Sequence, residues 1–176
     1  MLYKMEKASK VCYEMFQQRL YNNIKHVDDR IMALKNEGKN ICVFLTLNLK
    51  LNTEITQQYM TIMKNLSVDH GILIYKDSIT SSATKIIDIF NESDIDSKIE
   101  LFNVEELQYN ITKHRLQPKK FEKLSEKEVT AFKKSYGSNY PIMLTSDKVA
   151  RFFGFEKGSI IKVYYKNGYI NYLFVK

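Results

Sequence analysis

Apolar and polar positions along this chain change period several times, and each change marks an element. Over residues 8–21, Val11, Cys12, Met15 and Leu20 fall at helical spacing, which predicts an amphipathic helix. Residues 27–35 repeat the pattern more briefly and predict a second, short helix that stops near Gly38. Residues 41–47 (Ile-Cys-Val-Phe-Leu-Thr-Leu) form an apolar, β-branched run of strand length, as in a strand buried on both faces. Thr53 is read as the N-cap of a helix that gathers Ile55, Tyr59, Ile62, Met63 and Leu66 on one side. A second buried-type strand follows over 70–75. A helix over 81–90 turns Ala83, Ile86, Ile87 and Phe90 inward, and a third strand covers 98–102. Strands alternating with helices predict a small α/β domain with a partly parallel sheet over residues 1–105.

A second domain is predicted over residues 106–176. Ser125 followed by Glu128 reads as a capping box opening a helix that buries Val129 and Phe132, with Gly137 beyond its end. Asp147 is placed to cap a short helix over 148–153, closed by Gly154 in the left-handed conformation. Gly158 then turns the chain into a strand over 159–165, and Asn167 with Gly168 predicts a type I′ hairpin before a last strand over 169–175. The expected fold class is α/β in its parts and α+β overall. It comprises a three-layer-like N-terminal domain with a small mixed sheet and flanking helices, and a small C-terminal α/β domain ending in a β-hairpin.

Composition agrees with packed cores: 44% of residues are hydrophobic and 12% aromatic, while 2 prolines and 6 glycines argue against long linkers. The net charge of +7 is uneven. Residues 1–106 hold 13 basic and 15 acidic side chains, a net of −2, whereas residues 107–176 hold 14 and 5, a net of +9. Such asymmetry suits a basic surface that meets nucleic acid or an acidic partner, or else a lysine-rich solvated face. Cys12 and Cys42 match no metal or redox spacing, so reduced thiols and an intracellular setting are expected. No signal-like apolar run opens the chain, and no stretch nears the roughly 20 apolar residues of a membrane helix, so no membrane partner is expected.

Catalytic readings lack parts. His26, His70 and His114 stand without a metal-ligand partner at helical spacing. Gly154 and Gly158 are followed by no Gly-Lys-Ser/Thr, so they serve turns and not a phosphate loop. A magnesium-dependent nuclease would need carboxylates and a lysine at strand ends, yet Glu100 has Phe102 where that lysine would stand. No catalytic residue, cofactor or metal site is therefore expected. In the basic third of the chain, lysines interleave with Tyr136, Tyr164, Tyr165, Tyr169 and Tyr172. Cations could meet phosphates and rings could stack on bases, or the tyrosines could be cross-strand packing pairs. A free-standing basic nucleic-acid-binding protein is thus one reading.

Three segments carry another. Thr80, Ser81, Ser82 and Ala83 stand where a family motif reads Thr-Pro-Ser-Ala. Residues 110–118 (Asn-Ile-Thr-Lys-His-Arg-Leu-Gln-Pro) are similar to Asn-Ile-Thr-x-His-x-Leu-x-Pro. Residues 140–172, with Asp147, Val149, Ala150, Arg151, Phe152, Phe153 and Gly154, resemble the pattern Asp-Pro-Val-Ala-Arg-Tyr-Tyr/Phe-Gly and its flanks. The chain thereby resembles the fifth subunit of eukaryotic-type DNA-directed RNA polymerases, whose archaeal counterpart consists of the second domain alone. The resemblance implies an N-terminal jaw domain over 1–105 and a C-terminal assembly domain over 106–176. It further implies a non-catalytic subunit that clamps onto the largest polymerase subunit near downstream duplex DNA, and no self-oligomer. The docking set it implies is Thr80, Ser81, Ser82, Ala83, Asn110, His114, Pro118, Asp147, Val149, Ala150, Arg151, Phe152, Phe153 and Gly154. Lys4, Lys7, Lys10 and Arg19 are the cations available for a jaw contact with DNA. Ser81 and Lys148 replace family prolines, departures that suit a polymerase of a large DNA virus or a protist. A nuclear location follows if the polymerase is cellular, and a virus factory or virion if it is viral.

Overall fold

The computed structural model describes residues 2–27, 30–35, 40–45, 50–93, 97–136 and 140–176. The chain is mixed α/β and forms two compact units, Met1–Tyr109 and Asn110–Lys176. The division falls just beyond the boundary expected at 105, because a 3-10 turn at Val104–Leu107 packs back on the first helix of the N-terminal unit.

That unit runs α1 (Leu2–Gln18), β1 (Tyr21–Val27), β2 (Arg30–Lys35), β3 (Asn40–Leu45), β4 (Lys50–Leu51), α2 (Thr53–Asn65), β5 (His70–Tyr75), β6 (Ser78–Ile79), α3 (Ser81–Ser93) and β7 (Lys98–Asn103). Five strands form one sheet in the order β1-β2-β3-β5-β7; β4 and β6 pair separately, in parallel. The pairs β1/β2 and β2/β3 are antiparallel, while β3/β5 and β5/β7 are parallel. Side chains alternate across it. Cys42, Phe44, Leu73 and Ile99 lie with Leu51, Met63, Val68 and Ile87 under α2 and α3. Their neighbours Ile41, Val43, Ile72 and Ile74 are equally buried and belong to the opposite face, where α1 packs through Ala8, Val11, Cys12, Met15 and Phe16. The result is a helix, a sheet and a helix pair in three layers. Cys12 and Cys42 are free and buried, and burial pushes the Cys12 thiol up to about 12, which keeps it un-ionised.

Three sequence expectations change here. The helix expected over 27–35 does not form: Val27 and Arg30–Lys35 lie in paired antiparallel strands in which His26 faces Ile31 and Val27 faces Arg30. Met32, Ala33 and Leu34 are good helix formers, but β2 lies between β1 and β3, so sheet pairing overrides propensity. The first helix also stops at Gln18 and not at 21, since Leu20 turns the chain with a φ of 63°. The cap of α2 is Asn52 and not Thr53; the Ile55 N–H donates to Asn52 Oδ1 at 2.9 Å. Gly38 and residues 46–47 lie outside the described residues.

Packing between the sheet and α2 is close at Gly71, where an added Cβ would run into Met63 Sδ. A Gly71→Val variant is expected to lose about 1–3 kcal/mol through overpacking, read as a lower urea midpoint at unchanged slope. A midpoint equal to that of the wild type would show that Met63 simply swings aside.

The C-terminal unit opens with a 3-10 turn at Ile111–Lys113 and continues with β8 (Lys120–Lys123), α4 (Glu126–Tyr136), β9 (Ile142–Met143), α5 (Lys148–Phe153), β10 (Ile160–Tyr164) and β11 (Ile170–Val175). Its sheet has the order β8-β10-β11-β9, antiparallel except for β9 along β11. Leu124, Phe132, Ile160, Tyr172 and Phe174 pack beneath α4. Met143, Val149, Ala150, Phe121 and Leu173 pack between the other face and α5. The capping box forms as expected: the Ser125 N–H donates to Glu128 Oε2 at 2.8 Å and the Glu128 N–H to Ser125 Oγ at 3.5 Å. Gly137 lies outside the described residues.

The hairpin is real, but its turn is not type I′. Gly168 has a φ of 83°, whereas Asn167 does not take the positive φ that type I′ also demands. The Gly168 N–H donates to Tyr165 O at 3.1 Å and the Tyr165 N–H to Tyr169 O at 2.8 Å. The loop is therefore three residues long, an ordinary turn followed by a left-handed glycine. Tyr164 pairs with Ile170, a register that leaves too many residues for a two-residue loop.

Candidate functional site

The Thr80 to Ala83 segment is the start of α3. Thr80 caps it, with the Ala83 N–H donating to Thr80 Oγ1 at 3.2 Å, and the Thr80 N–H is held by Leu51 O at 3.0 Å. Ser81 occupies the first helical position, where proline is favoured only because φ is preset and the amide has no helical partner. Ser81 and Ser82 are exposed there, while Ala83 is buried in the unit's core.

Asn110 is buried and organises the next segment. Its Oδ1 accepts from the Thr112 N–H at 3.0 Å and the Thr112 hydroxyl at 2.7 Å, shaping the 3-10 turn that follows. His114 and Gln117 then close a β-turn, the Gln117 N–H donating to His114 O at 2.9 Å. His114 is exposed and Pro118 half-buried.

The third segment is α5 with its two stops. Asp147 Oδ1 accepts from the Val149 N–H at 2.7 Å and the Ala150 N–H at 3.4 Å. Gly154 has a φ of 68°, its N–H donating to Arg151 O at 3.1 Å while the Phe155 N–H donates to Ala150 O at 2.9 Å. That pair of bonds is a Schellman stop, and it explains why glycine follows the helix. Phe153 stacks on Phe155 with centroids 5.1 Å apart and an 11° tilt.

Burial sorts the expected docking residues. Ala83, Asn110, Val149, Ala150 and Phe152 are buried core positions. Ser81, Ser82, His114 and Asp147 are exposed; Thr80, Pro118, Arg151, Phe153 and Gly154 are half-buried. A correction also applies to the cations read as facing DNA. The Arg19 guanidinium grips Glu100 with both nitrogens, at 2.8 and 2.9 Å, and is only 5% exposed, so it is not available to a phosphate. Lys4 pairs with Glu105, and Lys7 lies 4.4 Å over the Tyr3 ring; Lys10 is exposed.

The buried cluster around Glu100 escaped the sequence reading. His70 Nε2 stands 2.7 Å from Glu100 Oε1, and His70 Nδ1 is 3.3 Å from the Tyr21 hydroxyl. Burial by itself would push the Glu100 carboxyl up, but Arg19 and His70 outweigh it and hold the group well below the usual carboxylate range. Its only sequence trace is a charged residue inside an apolar strand. Among the described residues no three His, Cys, Asp or Glu side chains gather as a metal site, and no helix is long and apolar enough to cross a membrane. What the surfaces offer chemically is charge, hydrogen bonding and apolar contact.

Comparison with known proteins bears on these segments. Residues 109–174 match the family model for "RNA polymerase Rpb5, C-terminal domain". The chain is 31% identical over 188 residues to the "Putative DNA-directed RNA polymerase subunit 454R" of Invertebrate iridescent virus 6, an alignment that covers 97% of this chain and 98% of that protein. It is 30% identical to the DNA-directed RNA polymerase V subunit 5A of Arabidopsis thaliana, over 78% of this chain and 62% of the plant protein. It is 33% identical to the subunit rpabc1 of DNA-directed RNA polymerases I, II, and III of Dictyostelium discoideum, over 70% of this chain and 64% of the relative. The chain thus matches less than two thirds of the length of these two cellular relatives, but nearly the whole viral one.

Proposed function

This chain belongs to the family of the fifth subunit of DNA-directed RNA polymerases, and we propose that it is a non-catalytic structural subunit of such an enzyme, docked on the largest subunit. The observation that carries the reading is the end-to-end match to the viral subunit, which includes both units of the chain. In this reading Asn110–Lys176 is the assembly module. The caps and the Schellman stop of α5 hold Arg151 in place, and the Asn110 turn presents His114 and Pro118. Arginine suits this task because its planar fork binds carboxylates at interfaces. Met1–Tyr109 would brace the jaw that faces downstream duplex DNA, with the exposed Ser81 and Ser82 at the start of α3 offering a second contact to the core. The complex would work inside the cell, in the nucleus for a cellular polymerase or in a virus factory or virion for a viral one.

Native pull-down of the tagged chain should recover the two large polymerase subunits in near-equal amounts. An Arg151→Ala chain should recover them less well at an unchanged melting temperature. Recovery of neither large subunit would sink the proposal; equal loss of stability and assembly in the variant would make Arg151 a local structural residue. The +9 charge of residues 107–176 favours a second reading, a free-standing nucleic-acid-binding protein. That reading expects tight duplex binding by the lone chain and no polymerase in the pull-down.

A further inference from the structure

A strand at the rim of a sheet turns half of its amides and carbonyls toward solvent, and proteins blunt such edges. Among the described residues, three of the four edges of the two larger sheets are blunted. On β1 a register shift between Asn22 and Lys25 breaks the row, with Asn23 at a φ of 51°. On β7 the Asn91 side chain occupies the edge itself: the Ile99 N–H donates to Asn91 Oδ1 at 2.7 Å, and Asn91 Nδ2 donates to Ile99 O at 3.0 Å. On β8 the exposed positions are Lys120, Glu122 and Lys123. The fourth edge is β9, and it is apolar. Ile142 and Leu144 are each 57% exposed at alternate positions, while Met143 between them is buried toward α5.

The backbone there is equally open. The Phe174 N–H donates to Pro141 O at 2.9 Å, the Lys176 N–H to Met143 O at 3.0 Å and the Thr145 N–H to Lys176 O at 3.1 Å, so residues 141, 143 and 145 face β11. Alternation turns the backbone groups of Ile142 and Leu144 to the outer side. The Leu144 carbonyl takes the Asp147 N–H at 2.9 Å, which leaves the Ile142 N–H and C=O and the Leu144 N–H pointing outward. Pro141 does not blunt this edge, because the amide it lacks would lie on the β11 side. The next carboxylate along the chain, Asp147, is taken up by the Val149 and Ala150 N–H groups, and Lys148 beyond it is exposed.

We propose that β9 is where the polymerase core adds a strand: an extended segment of the largest subunit pairs with Ile142 and Leu144 and covers their side chains with its own. This deepens the docking reading above and rests on it. The outward donors and acceptor lie along one line, which suits an extended chain. The exposed pair selects apolar residues at every second position of that segment, the period of a strand. Lys148 and the +9 charge of residues 107–176 favour acidic residues beside them. Along the chain the edge leads directly into α5, whose Arg151 the docking reading places at the contact.

The test is hydrogen–deuterium exchange, resolved by fragmentation, on the full chain alone and in the complex recovered by native pull-down. In the complex the Ile142 and Leu144 amides should exchange about tenfold or more slowly than in the lone chain. Leu144→Pro removes an outward amide and leaves the ladder to β11 intact. The double change Ile142→Thr with Leu144→Thr removes the apolar pair and keeps β propensity. Both chains should melt as the wild type does and recover about tenfold less of the large subunits. Wild-type recovery of the polymerase with edge amides as fast as in the lone chain overturns this inference and leaves the docking reading standing; so does full recovery by both variants. Amides already slow in a lone chain that sediments as a dimer overturn it too, since the occupant would be a second copy. A wild-type chain that recovers no polymerase sinks the docking reading and this inference with it.

Discussion

Replacing Arg19 by alanine is expected to remove about 3–5 kcal/mol of stability at neutral pH, a large share of the roughly 5–15 kcal/mol that holds a domain folded. The cost comes from what is left behind. Glu100 lies in the middle of β7 on the α1 face, its side chain 12% exposed, and Arg19 supplies a two-pronged bond from the end of α1. Without it a carboxylate stays buried with only His70 at 2.7 Å. Removing both charges, as Arg19→Met with Glu100→Leu, should restore most of the loss, since a buried pair replaced by apolar groups is often near neutral. Chemical denaturation of the three chains decides the matter. A loss below about 1 kcal/mol for Arg19→Ala would place the pair among screened surface bridges and discard this account.

The same cluster predicts acid sensitivity. Arg19 and His70 hold the Glu100 carboxyl below its value in the unfolded chain, which is about 4.3. Its stabilising contribution is therefore complete above that pH and drains away as the pH falls toward the folded value. A Glu100→Gln chain, although less stable near neutrality, should show a flatter dependence of unfolding free energy on pH below about 4.

The second large effect is expected at Phe152, where truncation to alanine should cost about 3–5 kcal/mol. The ring is 3% exposed and meets Phe153 edge-on, with centroids 5.6 Å apart and a 78° interplanar angle. Family resemblance alone makes Phe152 and Arg151 equivalent members of a docking motif. The structure separates them, because adjacent residues on a short helix point to different faces. Phe152→Ala should lose the fold of the C-terminal unit and polymerase recovery together, whereas Arg151→Ala should lose recovery first. A Phe152→Ala chain with an unchanged melting temperature but no recovery would return Phe152 to the docking surface.

These contrasts show where local pattern suffices. Ser125 with Glu128, and Asp147 with Gly154, announce helix ends because the groups that satisfy the terminal amides and carbonyls lie within a few residues. The strands at 40–45, 70–75 and 98–103 are legible as apolar runs because both faces are covered. By contrast β2 looked helical, and residues 22–26 of β1 suggested no element. Leu20 and Asn23 take positive φ values of 63° and 51° that no glycine marks, and the strands exist only through pairing that ends on β3. The short β9 is likewise invisible until β11, from the far end of the unit, lies beside it in parallel.

Sequence alone was enough for the order of most elements, the division of charge between the two parts, and membership in the polymerase subunit family. Each depends on neighbouring residues or on a sum over them. Tertiary structure alone decided which charges are spent. Arg19 meets Glu100 across 81 residues and leaves the DNA-facing set, and Lys166 donates to the Arg115 carbonyl across 51. It also decided that Val149, Ala150 and Phe152 are core while Arg151 stands at the rim. The physical reason is the same in each case. A cap is satisfied by residues beside it in the chain, but burial and ion pairing are properties of whatever distant segment folding brings alongside.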